Sequence, residues 1–284
     1  MREEQSRRRY NATDFLNPSH STSFSSVKAS HLSQTHHQTS HKMPVYVVTG
    51  ANRGLGLEFT RQLASNPSNT ILATVRAPET DLSDLHSIAS ATTHILPCDT
   101  SSATSISAFA TSAATLLTPK DLNIDYLLNN AGTNTAPSQT SLSMTAEALS
   151  QNVQINVLGP AQVTAHLLAQ NLLSPTVRIV NMSSGLGSMS VSLSITPRKC
   201  APYSISKAGL NALTVQQSGE VREKLGGGAV VVCMDPGWVK TRMGGEGAVL
   251  EAEESIGGML ACVHGLGEGD NGRFFTYTGK EVPW

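Results

Sequence analysis

The sequence predicts an α/β fold built on one doubly wound parallel sheet of about seven strands, with helices on both faces. Three observations predict it. Short apolar runs alternate with longer helical patterns over residues 44–284, most of these runs are continuously apolar, and a glycine-rich turn directly follows the first run. Continuous apolar runs are typical of parallel strands that are covered on both faces, and right-handed crossovers place helices there.

The elements follow one another without an internal repeat or a second core. Strands are expected at residues 45–49, 71–75, 94–97, 126–129, 177–181, 229–234 and 273–277. Helices are expected at residues 55–64, 102–117, 145–172, 203–225 and 251–263. We therefore expect one domain over residues 43–284. In such sheets ligands bind at the carboxyl ends of the strands.

Composition and charge exclude several classes of protein. The 284 residues include 20 Lys and Arg against 21 Asp and Glu, for a formal net charge of -1, which disfavours nucleic-acid binding. Every apolar run is shorter than the roughly 18 residues that cross a bilayer, so no membrane partner is expected. Four scattered cysteines predict neither a disulfide framework nor a metal site. A reducing, cytoplasmic location is the simplest interpretation.

Residues 1–42 are expected to be a disordered N-terminal extension. The segment is rich in Ser and His and has almost no periodic apolar residues, so it cannot bury enough surface to fold. A tail, a targeting peptide and a start codon assigned too early all stay open. Several arginines favour a transit peptide, whereas Glu3 and Glu4 oppose one. Met43 stands directly before the first predicted strand.

The glycine-rich turn predicts a phosphate site. Gly50, Gly54 and Gly56 follow the first strand and open a helix. Glycines allow the backbone to approach a pyrophosphate closely, and the helix N-terminus supplies free N–H groups. Strand, turn and helix together are typical of a Rossmann-type dinucleotide-binding fold.

Two arginines favour NADP(H) over NAD(H). NAD-binding sheets commonly place an acidic residue about 20 residues after the glycines, where it accepts the ribose 2′-hydroxyl. Here the second strand ends at Arg76, and no acid follows until Glu79. Arg53 lies inside the glycine turn itself. Two guanidinium groups are suited to a 2′-phosphate.

A catalytic set follows from residue spacing. Tyr203 and Lys207 stand four residues apart on a predicted helix, so both project from one face. A nearby cation is expected to lower the pKa of the phenol and make it a proton donor to a carbonyl oxygen. Ser184 follows a strand end, where its hydroxyl can bind the same oxygen. Asn156 lies on the long helix before it.

These features together resemble the short-chain dehydrogenase/reductase family over residues 44–284. The matching motifs are Thr49-Gly-x-x-x-Gly-x-Gly56, Asp99, Asn129-Asn-Ala-Gly132, Asn156, Ser184, Tyr203-x-x-x-Lys207 and Pro236-Gly-Trp-Val-Lys-Thr241. Within the family the chain is most similar to the C-factor-like and sniffer-like carbonyl reductases. The run from Pro236 to Gly245 and the ending from Gly272 to Trp284 carry that closer match. Fungal norsolorinic-acid ketoreductases share the general pattern.

The resemblance implies a role for each matching residue. Tyr203 is the general acid/base, Ser184 binds the carbonyl, Lys207 holds the nicotinamide ribose and lowers the pKa of Tyr203, and Asn156 holds a water. Val239 and Thr241 fix the carboxamide, and Asp99 contacts the adenine amine. The implied cofactor-binding residues are Gly50, Asn52, Arg53, Gly54, Leu55, Gly56, Arg76, Asp99, Asn130, Ala131, Gly132, Tyr203, Lys207, Pro236, Gly237, Val239 and Thr241.

The sequence favours an NADP(H)-dependent reductase of a small-molecule ketone or aldehyde. An alcohol dehydrogenase running in the oxidative direction and a catalytically idle NADP-sensing protein stay open as alternatives. The spacing from Ser184 to Tyr203 is longer than is common in the family, and residues 185–201 are expected to form a loop over the site. The Gly-rich stretch after Thr241 predicts a small mobile lid. Family habit suggests a homodimer through the two long central helices.

Overall fold

Seven strands in the described residues form an all-parallel sheet, which confirms the predicted fold class. The computed structural model describes residues 43–77 and 81–284, so the extension expected at residues 1–42 lies outside the described residues. The strands are β1 (Val45–Val48), β2 (Thr70–Val75), β3 (Thr93–Pro97), β4 (Ile124–Asn129), β5 (Leu173–Met182), β6 (Val230–Asp235) and β7 (Phe274–Thr276). Their order in the sheet is β3-β2-β1-β4-β5-β6-β7.

Helices cover both faces of this sheet. They are α1 (Gly54–Ala64), α2 (Ser83–Ile88), α3 (Ala103–Leu117), α4 (Ala146–Val153), α5 (Gly159–Ala169), α6 (Met189–Ser192), α7 (Ala201–Leu225) and α8 (Ala252–Gly265). Since successive strand residues point to opposite faces, Tyr46 and Val48 join the core under α1 and α8, whereas Val45 and Val47 join the core under α3 and α5. Each face therefore has its own apolar layer.

The strand order reverses direction between β1 and β4. After β1 the chain builds β2 and β3 on one side and then crosses back, so that β4 pairs with the free edge of β1. Val48 lies beside Leu128, and Asn129 lies beside Asn181 in the next strand pair. A reversal of this kind opens a crevice at the carboxyl ends of the strands. The glycine-rich turn and the end of β4 meet at that crevice.

The long helix expected at residues 145–172 is interrupted. The chain forms α4, then a π-helical turn at Gln154–Leu158, and then α5. Pro160 has no N–H to donate to the carbonyl of Asn156 four residues earlier, so the α-helical pattern breaks at that point. Gly159 also lies close to the chain after β3, since a Cβ there would be 2.9 Å from the Thr100 carbonyl oxygen. The interruption falls at a predicted catalytic residue.

Other boundaries also differ from the sequence prediction. Helix α2 was not expected, and β5 begins at Leu173 rather than at residue 177. Residues 185–201 are not a plain loop, because they contain a 3-10 turn at Gly185–Gly187 and the short helix α6. Among the described residues, no helix has the length and apolar character to cross a membrane.

Candidate active site

The four predicted catalytic residues converge at the carboxyl edge of the sheet. Ser184 follows β5, Tyr203 and Lys207 lie in the first turns of α7, and Asn156 lies in the π-helical turn. The Ser184 side chain lies near enough to the Tyr203 phenol to lower its pKa. Lys207 Nζ lies 5.5 Å from the centre of the Tyr203 ring. The fold therefore brings residues that are distant in sequence to one edge of the sheet.

The structure separates the two serines at the end of β5. Ser183 is buried, and its hydroxyl donates to Asn211 Oδ1 at 2.6 Å. Ser184 is only partly buried, its Oγ accepts from the Leu186 N–H at 3.2 Å, and its side chain lies near the Tyr203 phenol. Ser183 therefore has a structural partner, and Ser184 is the serine that faces the phenol.

Lys207 is a buried ammonium group. It has 3% exposure, and Nζ donates to the Met182 carbonyl oxygen at 2.6 Å. Burial lowers the pKa of Lys207 to about 8, because a charged amine loses its hydration there. Lys207 is therefore a cation at pH 7 that can lose its charge within the mildly alkaline range.

Burial dominates the pKa of Tyr203, and the lowering expected from Lys207 stays a prediction. Burial raises the pKa of the Tyr203 phenol, and the nearby Asp235 carboxylate raises it further, whereas the Ser184 side chain lowers it only in part. The ammonium lies over the ring and is directed at Met182. Tyr203 therefore keeps its proton at neutral pH.

Asn156 is a fully buried connector between the loop after β4 and α7. Its Oδ1 accepts from the Thr133 N–H at 2.8 Å, and its Nδ2 donates to the Thr133 carbonyl and to Ser206 Oγ, each at 2.9 Å. Ser206 in turn donates to the Tyr203 carbonyl at 2.7 Å. A Cβ placed on Gly132 would lie 3.3 Å from Asn156 Oδ1 and 3.6 Å from Lys207 Nζ. The side-chain amide is therefore engaged by protein partners.

The glycine-rich turn forms an open cradle. Gly50 and Gly54 adopt φ values of +69° and +53°, a region that favours glycine. A Cβ on Gly56 would lie 2.1 Å from the Gly50 carbonyl oxygen and 2.6 Å from Asn130 Nδ2. Helix α1 begins here with no side-chain cap and no acidic residue in its first turn. Its free N–H groups therefore suit the phosphates of a dinucleotide.

Three arginines share the rim of this cradle. Arg242 and Arg76 lie near enough to Arg53 to lower its pKa, although burial is the larger cause of that shift. In the part of the chain that the structure describes, none of the three forms an ion pair with a carboxylate. Sequence reasoning missed Arg242. A cluster of unpaired guanidinium groups is the arrangement that binds a phosphate.

The sequence profile of the short chain dehydrogenase family matches residues 44–248. The chain belongs to this family.

Relatives support that assignment over most of the chain. The C-signal protein of Myxococcus xanthus is 36% identical over 161 residues, which cover 57% of this chain and 93% of that protein. The NADPH-bound carbonyl reductase from chicken fatty liver is 34% identical, and the match covers 84% of this chain and 98% of that chain with a TM-score of 0.75. The carbonyl reductase Sniffer of D. melanogaster is 29% identical, and the match covers 86% of this chain and 100% of that chain with a TM-score of 0.75.

Three more predicted cofactor residues of this short chain dehydrogenase, Asn130, Ala131 and Thr241, lie close to the glycine-rich turn. Asn130 Nδ2 donates to the Thr49 carbonyl at 2.8 Å, and the Ala131 N–H donates to Thr49 Oγ1 at 2.9 Å. A Cβ on Gly54 would lie 3.6 Å from Thr241 Cγ2, so the chain after β6 reaches over the glycine-rich turn. Asp99 Oδ1 accepts from the N–H and the hydroxyl of Ser101, at 2.9 and 2.7 Å.

The stretch after Thr241 was expected to form a mobile lid. The backbone closes it into a loop, since Lys240 N–H donates to the Leu250 carbonyl and Leu250 N–H donates to the Trp238 carbonyl. The Trp238 indole also donates to the Gly244 carbonyl at 2.8 Å. The loop therefore has a defined conformation here, and its mobility stays a prediction.

Asp235 is a second residue that sequence reasoning missed. It ends β6, and its carboxylate accepts from the backbone N–H groups of Gly237 and Gly185. Burial raises the pKa of Asp235, and these two hydrogen bonds oppose the shift. Asp235 thus ties the end of β6 to the residue after Ser184. Its position directly before the Pro236-Gly motif is a sequence signal that could have marked it.

A cavity of about 730 Å³ lies away from these residues. It is lined by side chains that include Tyr46, Arg61, Tyr126 and His264. None of the predicted catalytic or cofactor residues lines it. Size alone does not make a catalytic site, whereas the crevice edge holds the convergent polar groups that reaction chemistry requires.

Proposed function

We propose that this protein is an NADPH-dependent carbonyl reductase that converts a ketone or aldehyde to an alcohol. One observation carries the proposal. The side chains of Ser184 and Tyr203 come together beside the buried Lys207 ammonium, at the same sheet edge as the glycine cradle. Two hydroxyls at that point can both contact one carbonyl oxygen.

The cofactor assignment rests on charge. Arg53, Arg76 and Arg242 offer three guanidinium groups without a carboxylate partner in the described residues, and a 2′-phosphate would supply the missing negative charge. The chicken relative binds NADPH. The open N-terminus of α1 would hold the pyrophosphate.

Each catalytic side chain then has a task. When bound, the nicotinamide supplies the hydride. Tyr203 holds the proton that the carbonyl oxygen takes up, and its raised pKa keeps that proton in place until negative charge develops on the oxygen. Ser184 donates to the same oxygen and stabilises the charge. Lys207 holds the ribose.

Reprotonation would run through the interior side of α7. Lys207 lies beside Gly132, and Gly132 lies beside Asn156. The side-chain amide of Asn156 is already bonded to Thr133 and Ser206. Pro160 has no N–H to donate to the main-chain carbonyl of Asn156, so we assign the ordered water to that carbonyl. Asn156 would then connect Lys207 to solvent without changing its own charge.

Further contacts to the cofactor follow the family pattern. Asp99 would contact the adenine amine, and Asn130, Ala131 and Gly132 would pack beside the adenosine ribose. Asn52 and Leu55 would extend the cradle, and Pro236, Gly237, Val239 and Thr241 would fix the carboxamide. The closeness of Thr241 to Gly54 supports this second group, because it places the loop after β6 over the cradle.

A homodimer and a cytoplasmic location belong to the same proposal. Leu158, Ile205 and Val215 are exposed apolar side chains on or beside the two central helical segments, with exposures of 42%, 45% and 45%. Two copies pairing through these segments would cover them. The mass in solution, measured by light scattering during gel filtration, tests the dimer, and imaging of a tagged full chain tests the location.

The decisive experiment measures NADPH oxidation with a panel of ketones and aldehydes. We expect turnover with at least one substrate class and a dissociation constant for NADPH at least about tenfold below that for NADH, about 1.4 kcal/mol. Alcohols with NADP+ test the oxidative direction in the same assay. Tight NADPH binding without any turnover would favour the idle sensor instead.

A further inference from the structure

The last residues of the chain fold back across the sheet edge. We call residues 282–284 the C-terminal strap. Val282 N–H donates to the Phe274 carbonyl at 2.8 Å, and the Trp284 ring stacks on the Phe274 ring with centres 5.7 Å apart. Val282 is buried with Phe274 and Cys233 in a small apolar cluster. The strap is therefore anchored on β7.

The same strap also holds the segment that follows Ser184. The Ser188 hydroxyl donates to the Pro283 and Trp284 carbonyl oxygens, at 2.5 and 3.2 Å, and the Ser190 N–H donates to the Trp284 carbonyl at 3.0 Å. Val191 packs on the apolar cluster that contains Val282. Ser188 is fully buried, so these bonds are shielded from water.

The held segment leads directly to the reacting group. The Gly187 N–H donates to the Ser184 carbonyl at 2.8 Å, and the Leu186 N–H donates to Ser184 Oγ. On its other side Gly187 contacts α7 so closely that a Cβ there would be 2.9 Å from Lys207 Cβ. Residues 185–188 are therefore clamped between α7 and the strap.

We propose that the C-terminal strap is a positioning element that sets where the Ser184 hydroxyl stands relative to Tyr203. The proposal rests on the proposed carbonyl reduction, in which both hydroxyls must reach one oxygen. Without the strap, the contacts from α7 and from Asp235 remain, but the residues after Gly185 lose the partners that hold them on the other side, and Ser184 can move with the 3-10 turn that follows it. Displacements of about 1 Å at a reacting group can cost about 100-fold in rate.

Deletion of Pro283 and Trp284 from the full chain tests this directly. We expect kcat to fall about 10- to 100-fold, while the dissociation constant for NADPH stays within twofold. Hydrogen exchange of the amides at residues 186–191 should rise at least tenfold. Glu281→Gln is the matched control, because its exposed ion pair with Arg273 lies on the same tail and does not contact the clamped segment. It should leave all three measurements unchanged.

Two point variants keep the test open if the shortened chain fails to fold. Trp284→Ala removes the ring that stacks on Phe274 and should lower kcat in the same direction, whereas Trp284→Phe keeps an aromatic ring and should restore it. In a Ser184→Ala background the deletion should cost less than twofold further, because the strap acts through Ser184.

The outcomes separate the two proposals. If the unaltered chain turns over no carbonyl substrate, the proposed function fails, while the exchange measurement still tests whether the strap holds the segment. If the unaltered chain is active and the deletion leaves kcat unchanged, the positioning proposal is overturned. It is also overturned if the deletion costs as much with Ser184→Ala as without it.

Discussion

Lys207 Nζ donates a 2.6 Å hydrogen bond to the carbonyl oxygen of Met182, the last residue of β5. This bond directs a buried cation at the strand end that precedes Ser184. It gives the ammonium a partner other than the phenol, which limits how far the ammonium can lower the pKa of Tyr203. Burial also disfavours the charged form of both side chains, so it raises the pKa of Tyr203 and lowers the pKa of Lys207.

Cofactor binding should weaken as the pH rises through about 8, the pKa to which burial lowers Lys207. Loss of the ammonium removes a charged donor to the ribose, so we expect the NADPH dissociation constant to rise about tenfold, about 1.4 kcal/mol, by pH 9.5. Fluorescence titration across pH 7 to 9.5 measures it. Lys207→Ala should bind weakly at every pH, and an unaltered chain with a flat profile would contradict the assignment.

Loss of the Lys207 proton should affect the stability of the fold in the opposite direction to its effect on cofactor binding. The unfolded chain holds the Lys207 proton up to about pH 10.4, whereas the folded chain releases it from about pH 8. With respect to Lys207 the unfolded state binds more protons within that window, so the contribution of Lys207 to the free energy of unfolding should rise there. Cys98 and Cys233, whose thiol pKa values burial raises, contribute in the opposite direction. Urea unfolding at pH 7.5 and 9.5 isolates Lys207 by comparison, because the change in the free energy of unfolding should be less favourable for Lys207→Met than for the unaltered chain.

Tyr203→Phe keeps the ring and removes the transferable proton. We expect kcat to fall roughly 10²- to 10⁴-fold, since that is the usual contribution of a positioned proton donor. The NADPH dissociation constant should change little. Tyr126→Phe removes a hydroxyl from the other end of the sheet, where Tyr126 stacks on Tyr46, and should keep normal turnover. Near-normal turnover of Tyr203→Phe would refute the mechanism.

Arg242→Gln should weaken NADPH binding without affecting NADH. A charged hydrogen bond is worth about 1.5–3 kcal/mol, so we expect a loss of about tenfold or more for NADPH alone. Arg273→Gln is the control, because Arg273 pairs with Glu281 outside the cradle. Arg76→Asp should reverse the preference for NADPH over NADH. Equal weakening of both cofactors by Arg242→Gln would place Arg242 away from the 2′-phosphate.

Gly56→Ala should abolish cofactor binding. Its Cβ would meet the Gly50 carbonyl oxygen at 2.1 Å, so the cradle must open or deform. Gly219→Ala is the matched helical control. No atom lies within 4 Å of its Cβ position, so it should stabilise α7 by about 0.5–1 kcal/mol. Binding and thermal unfolding of the two variants give the comparison, and normal NADPH affinity of Gly56→Ala would contradict the cradle.

Removal of residues 1–42 should leave folding and turnover intact. All seven strands and every proposed site residue lie within residues 43–284. A chain that starts at Met43 should match the full chain in thermal midpoint and kcat. Precipitation of the shortened chain, or a large loss of kcat, would show that the extension contributes to the domain.

Local patterns predicted most of the sheet. Strand β1 is an unbroken apolar run, and β2 and β6 are mostly apolar, which is the signature of buried parallel strands. The start of β5 was missed because Ser174 and Pro175 interrupt its apolar run. Helix α2 was missed because six residues are too few to show a helical period.

The parts of the site that escaped prediction depend on the folded chain. Arg242 comes near Arg53 only because the loop after β6 turns back over the cradle. Asp235 gains its role from backbone N–H groups on two different segments. The raised pKa of Tyr203 reflects burial, which the spacing to Lys207 does not report.

The position of β4 in the sheet also affects how the chain folds. Val45 N–H donates to Asp125 Oδ2 across 80 residues of chain, and β1 has no neighbour on that edge until β4 arrives. Pairings so remote in sequence give a high contact order and slow folding. A nascent chain on the ribosome therefore presents the apolar, unpaired edge of β1 until residues 124–129 have emerged. We expect aggregation during synthesis to start at that edge.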